Sequence, residues 1–222
     1  MVNVKNINSN SNDFDAIVVG SGISGGWAAK ELCEKGLKVA LIERGKNTIH
    51  GKDYLGEGKA PWDLPYHGKI PEDTLNNEYF IQQQNYALDQ STKHFFVSDK
   101  ENPYKTEKDK PFSWIRGYQL GGRSLLWYRQ SYRWSEMDFV ANKIDGNGVD
   151  WPIRYKDIAP WYDYVETFAG ISGSKEGLPQ LPDGKFLPPM EMNCVELEVK
   201  KNIENKFPGR KMIIGRCAHL TK

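Results

Sequence analysis

Phe14–Gly45 reads FDAIVVGSGISGGWAAKELCEKGLKVALIERG. Ala16–Val19 is a short apolar, β-branched run, the pattern of a buried strand. It leads directly into Gly20-Ser21-Gly22-Ile23-Ser24-Gly25, a G-x-G-x-x-G. From Ile23 the apolar period changes, and Ile23, Trp27, Ala28, Leu32 and Cys33 share one helical face. Gly36 follows as a helix C-cap. Val39–Ile42 is a second apolar run, and it ends at Glu43. The order is strand, glycine turn, helix, strand, acid: a Rossmann-like βαβ unit of the α/β class.

Each part of that unit has a physical task. Gly20 permits the tight turn, Gly22 lets the backbone approach a pyrophosphate, and Gly25 lets helix and strand pack closely. The N-terminus of the helix offers N–H groups and the positive end of a dipole. Ser21, Ile23 and Ser24 complete the turn, and with the three glycines they are candidate contacts of a dinucleotide. Glu43 stands eighteen residues past Gly25, at the tip of the second strand, where a carboxylate accepts from ribose hydroxyls and repels a 2′-phosphate. That argues against NADP. Glu43 and its neighbour Arg44 are therefore also candidate contacts. FAD and NAD share this fingerprint. The place of the unit at the start of the chain is the usual arrangement of FAD enzymes.

The bulk properties narrow the classes around it. The chain has 222 residues, with 30 basic and 29 acidic side chains. This balance gives no electrostatic reason to expect a nucleic-acid partner or an anionic membrane surface. No apolar run approaches the roughly 18 residues of a transmembrane helix. Residues 1–13 are polar and rich in Asn and Ser, without the apolar centre of a secretory signal, and read as a disordered lead-in. Cys33, Cys194 and Cys217 are far apart, with no metal-ligand spacing, which fits structural thiols in a reducing compartment. A soluble cytoplasmic protein is the plain expectation.

Residues 46–115 show no clean periodicity and read as an irregular excursion, rich in Gly, Pro and charge. His94–Val97 is one short candidate strand within it. His50, His67 and His94 have no metal spacing and are expected to be exposed or simply hydrogen-bonded, so no metal site is assigned. Gly117–Trp127, GYQLGGRSLLW, then puts two glycines ahead of a bulky apolar run. Such a pair marks a tight turn or a close backbone approach.

The two stretches in this order, VVGSGISGGWAAKEL…VALIERG and some seventy residues later GYQLGGRSLLW, resemble the glucose–methanol–choline (GMC) family of FAD oxidoreductases. Downstream, Val149–Gly173, VDWPIRYKDIAPWYDYVETFAGISG, is similar to the bacterial branch that oxidises sugars and glycosides. The likeness runs from about Phe14 to the end of the chain. It implies a flavin-binding unit over 14–45, a second flavin-contacting segment over 116–149 and the start of a substrate-side α+β region over 150–222. Gly121 and Gly122 would let the main chain press against the cofactor, with Ser124, Leu126 and Trp127 beside the isoalloxazine. Several members of the family attach the flavin through a histidine in this segment. Leu126 stands at the matching place, so the resemblance implies a non-covalent FAD.

The resemblance further implies oxidation of a CH–OH group of a sugar or glycoside, an electron acceptor other than NAD (a quinone or a cytochrome), and a small partner subunit that carries an export signal. Periplasmic location by co-export is then an alternative to the cytoplasm. The family's catalytic base is a histidine, paired with a second histidine or an asparagine near its C-terminus. His219, within RCAHLTK, does not match that motif, so no residue here is assigned catalysis. Family chains are more than twice as long, and the sheet is expected to be incomplete. Two rival readings of the residues stay open: a non-catalytic FAD- or adenine-nucleotide-binding module, and an NAD-dependent dehydrogenase.

Three local expectations complete the reading. A core-facing helix starts at Asp157 with Pro160 in its first turn, carries Ile158, Trp161, Tyr162, Val165 and Phe168 on one face, and stops at Gly170. Residues 172–191 are loop, and Cys194–Phe207 is a helix. Lys211–Gly215, KMIIG, is a short strand.

Overall fold

The computed structural model describes residues 13–221, so the lead-in expected over 1–13 lies almost wholly outside the described residues. The chain divides into two compact units, Met1–Trp127 and Tyr128–Lys222, a boundary that falls inside the segment expected over 116–149.

In the first unit, β1 (Ala16–Val19), α1 (Ile23–Glu34) and β2 (Val39–Ile42) form the expected βαβ crossover. The strands pair in parallel, Ala16 opposite Val39 and Val19 opposite Ile42. The Gly20 N–H extends the ladder to the Ile42 carbonyl at 2.7 Å. Helix α1 lies on the sheet, with Gly25 against the end of β1 and with Ala29 and Leu32 half-buried. Ile23, Ala28 and Cys33, expected on the packed face, are exposed. The glycine spacing, rather than the bulky side chains, sets which side of α1 approaches the strands. A β-carbon at Gly25 would overlap the Gly20 carbonyl oxygen and touch Val18. Strand β1 is not buried on both faces as expected. Ile17 and Val19 are 65% and 82% exposed and Ile42 is 53% exposed, because α1 covers one face of the two strands and no described element covers the other.

The excursion after β2 is irregular, built from single 3-10 turns and one short helix, α2 (Glu72–Glu78). The sequence gives no periodic sign of α2 because it buries none of its residues. The core here is Ile70, Phe95, Phe96 and Val97 around a buried polar brace. Asp99 accepts from the Ile81 and Gln82 N–H groups at 2.8 and 3.1 Å and from Gln82 Nε2 at 2.8 Å. Gln82 also donates to the Trp114 carbonyl and accepts from the Arg116 N–H. These bonds hold the excursion to the segment that carries the second glycine motif. His94–Val97 is not a strand. Lys93–Phe95 is a 3-10 turn, with Phe95 and Phe96 N–H groups spent on Thr92 and Lys93, and only Val97 reaches across, to Arg116.

The second unit holds α3 (Glu136–Asp145), α4 (Tyr155–Ala169), β3 (Ile171–Ser172), α5 (Cys194–Lys206) and β4 (Cys217–Ala218). Ser135 caps α3 through Asp138, and Trp134, Phe139 and Trp151 form an edge-to-face aromatic cluster. Helix α4 starts two residues before Asp157, because that carboxylate reaches back to the Arg154 N–H from the third position. Gly170 ends it in the left-handed region, as expected. Its apolar face is not in a core. Trp161 and Phe168 are 63% and 60% exposed, whereas Glu166 is buried on Arg133. Burial acts to lower the Arg133 pKa, but the hydrogen bonds to Glu166, Asp163 and Tyr155 outweigh it and hold the guanidinium charged. KMIIG is not a strand either. The ladder partner of β3 is Cys217–Ala218, two residues further on. Among the described residues no helix is long and apolar enough to cross a membrane.

Candidate dinucleotide site

The Gly20–Gly25 turn is fixed from behind by Glu43. Its Oε2 accepts from the Ser21 N–H at 2.8 Å and from Ser21 Oγ at 2.6 Å, and Oε1 accepts from the Gly45 N–H at 2.7 Å. Partial burial raises the Glu43 pKa, but the hydrogen bonds from the Ser21 hydroxyl and from the Ser21, Gly45 and Arg44 N–H groups exceed that and hold it below the ordinary value. Glu43 is thus an ionised brace of the turn as well as a group at the strand tip.

The second glycine motif closes onto the same turn. Lys46 N–H donates to the Tyr118 carbonyl at 3.3 Å, and Leu120 N–H to the Lys46 carbonyl at 2.9 Å, so this segment runs as a parallel extension beside the end of β2. The Gly121 N–H donates to Ser21 Oγ at 2.8 Å. Gly122 has a φ of +56°, and a β-carbon on it would stand 3.2 Å from the Gly22 Cα. Both glycines of the pair stand at positive φ, which a side chain would strain, and at Gly122 a β-carbon would also crowd the Gly22 backbone. A five-residue 3-10 turn, Gly122–Leu126, follows.

Between the two motifs lies an open cavity of about 520 Å³ lined by Val19, Gly20, Gly22, Ile23, Ser24, Gly25, Arg123, Ser124 and Trp127. Seven of these were candidates from sequence. Ser21, Glu43, Gly121 and Gly122 stand behind the lining as its support. Arg44 stacks on Tyr118 at 3.7 Å, and Leu126 is half-buried outside the lining. Val19 and Arg123 were missed: the first reads as a core strand residue, the second as a surface cation. The first turn of α1 carries no acidic residue of its own, and its N-terminal end borders the cavity. The site therefore offers backbone donors, one cation and apolar walls, which suits a pyrophosphate joined to aromatic rings.

Residues 15–51 match the family described as FAD binding domain. FAD is the cofactor of this unit. The donors at the turn, the space left by the glycines and the braced Glu43 fit that group, and Gly20, Gly22, Ile23, Ser24 and Gly25 line the cavity on that side.

The chain is 27% identical to paromamine 6′-oxidase of Streptomyces fradiae over 74% of this chain and 24% of that protein. It is 26% identical to 2-methyl-1,2-propanediol dehydrogenase of Mycolicibacterium austroafricanum over 79% of this chain and 27% of that protein. With the fructose dehydrogenase large subunit of Gluconobacter japonicus it shares 24% identity over 72% of this chain and 27% of that protein. The chain thus spans about a quarter of the length of the curated relatives it matches.

Proposed function

We propose that this chain is the flavin-binding portion of a GMC-type oxidoreductase that oxidises a CH–OH group of a sugar or glycoside and passes the electrons to an acceptor other than NAD. The observation that carries this reading is the seating of the second glycine motif on the first, through Gly121 N–H to Ser21 Oγ and Gly122 against Gly22. The NAD-dehydrogenase reading leaves the GYQLGGRSLLW segment unexplained, whereas the GMC reading gives it a place beside the flavin. The FAD binding domain match and the relatives named as oxidases and dehydrogenases of sugars and alcohols support it.

FAD, when bound, supplies the hydride acceptor. This chain's part is to hold the pyrophosphate on the α1 N-terminus, to keep the Gly20–Gly25 turn rigid through Glu43, and to place Ser124 and Trp127 along the cavity wall. The cofactor is held without a covalent bond, since Leu126 offers no nucleophile at the place where several members of the GMC family carry a histidine. The base that takes the alcohol proton is assigned to no residue of this chain; the electrons go to a quinone or a cytochrome, and a small partner subunit that carries an export signal completes this reading.

Titration with FAD, followed by flavin fluorescence with NAD as competitor, tests the reading. Saturable quenching that NAD does not displace is expected. Gly122→Val should weaken FAD at least about tenfold, because a branched side chain at positive φ strains the turn and pushes it off Gly22. Preference of the folded chain for NAD, or unchanged FAD affinity in Gly122→Val, would overturn it.

A further inference from the structure

The dinucleotide cavity carries one positive side chain that no part of the glycine fingerprint requires. Of the described residues that line the cavity, Arg123 alone is ionisable. It directly follows Gly122, the residue that abuts Gly22, so the backbone contact between the two motifs also delivers its side chain to the mouth of the phosphate turn. Arg123 Nη1 donates to the Ile115 carbonyl at 2.9 Å. Among the described residues no carboxylate forms an ion pair with it, although the chain has 29 acidic side chains for 30 basic ones.

A dinucleotide brings two negative charges to the α1 N-terminus. Main-chain N–H groups and a helix end supply only partial charges to meet them. A guanidinium tethered by one nitrogen keeps its remaining N–H donors for phosphate oxygens, and its planar fork suits them better than an ammonium does. Resting on the FAD reading of this unit, we propose that Arg123 is the counter-charge to the cofactor's pyrophosphate, held over it by the Ile115 carbonyl.

The test compares the full chain with Arg123→Lys and Arg123→Gln, titrated with FAD, with ADP-ribose and with riboflavin. Glutamine keeps a donor for Ile115 and removes only the charge. The expected result is a loss of about 10- to 100-fold in affinity for both FAD and ADP-ribose in Arg123→Gln, with riboflavin unaffected and Arg123→Lys within about threefold to tenfold of the parent. Raising the salt should weaken the parent and Arg123→Lys more than Arg123→Gln.

Equal FAD and ADP-ribose affinity in the parent and Arg123→Gln would overturn the proposal. An equal loss in both variants would also do so, since charge would not then be the cause. A parent chain that is folded by circular dichroism yet binds ADP-ribose and not FAD would instead sink the FAD reading while leaving the phosphate role of Arg123 measurable on ADP-ribose.

Discussion

At the scale of single residues, the Ser21 hydroxyl donates to Glu43 and accepts from the Gly121 N–H, so one oxygen joins the first strand-turn to a segment a hundred residues later. Ser21→Ala leaves the Gly121 N–H without its acceptor and removes one donor from Glu43. The expected cost is about 1–3 kcal/mol of stability, with weaker FAD binding, read by chemical denaturation and titration. Glu43 makes a second prediction, in pH. Its folded pKa is depressed, so its contribution is complete above the unfolded value near 4.3 and fades as pH falls through the lower folded value. Glu43→Gln should be less stable than the parent at pH 6, and the gap should close as pH drops below about 4. A gap independent of pH between 6 and 3 would show that the carboxylate charge does not brace the turn. The spacing of Gly20, Gly22, Gly25 and Glu43 was legible in the sequence because it is local and periodic. The Ser21–Glu43–Gly121 chain of bonds was not, since no pattern along the chain marks a pairing across a hundred positions.

Among the elements, β1, α1 and β2 stand at the expected places because the glycine fingerprint fixes their order and spacing, and α5 also stands where expected. His94–Val97 and Lys211–Gly215 show the limit: a run with only three apolar residues is as compatible with a turn as with a strand, and the partner decides. Helix α4 shows another. Its apolar positions are periodic, yet the side it buries is the one that meets Arg133, through Glu166. The excursion makes the same point with energy attached. Asp99 is buried and accepts three hydrogen bonds from Ile81 and Gln82, so truncation leaves several donors in a dry interior. Asp99→Ala should cost on the order of 3 kcal/mol, and Asp99→Asn less, since it keeps one acceptor oxygen. Because this brace also holds Trp114 and Arg116, Asp99→Ala should weaken FAD binding without touching the cavity lining. Equal denaturation midpoints for Asp99→Ala and the parent would show that the excursion is not held this way.

Over the whole molecule, the surface carries apolar groups that an isolated domain of this length would ordinarily bury. In the first unit Ile17, Val19 and Ile42 form one uncovered face of a two-stranded parallel sheet, an architecture that is normally covered on both sides. In the second unit Trp161 and Phe168 lie open on α4. The chain spans about a quarter of its relatives' length, and on the flavin-binding-portion reading both surfaces would be covered by further parts of a longer protein. The consequence is measurable on this chain. It should bind an apolar fluorescent dye in its folded state and self-associate as concentration rises. Ile17 and Ile42 do not line the cavity, whereas Val19 does. The double substitution Ile17→Thr, Ile42→Thr should therefore reduce dye binding and self-association while leaving FAD affinity within about threefold, since threonine keeps the β-branched shape that strands favour. If the substitutions instead lower the stability of the chain by several kcal/mol, that face is packed in solution and the need for a covering partner disappears.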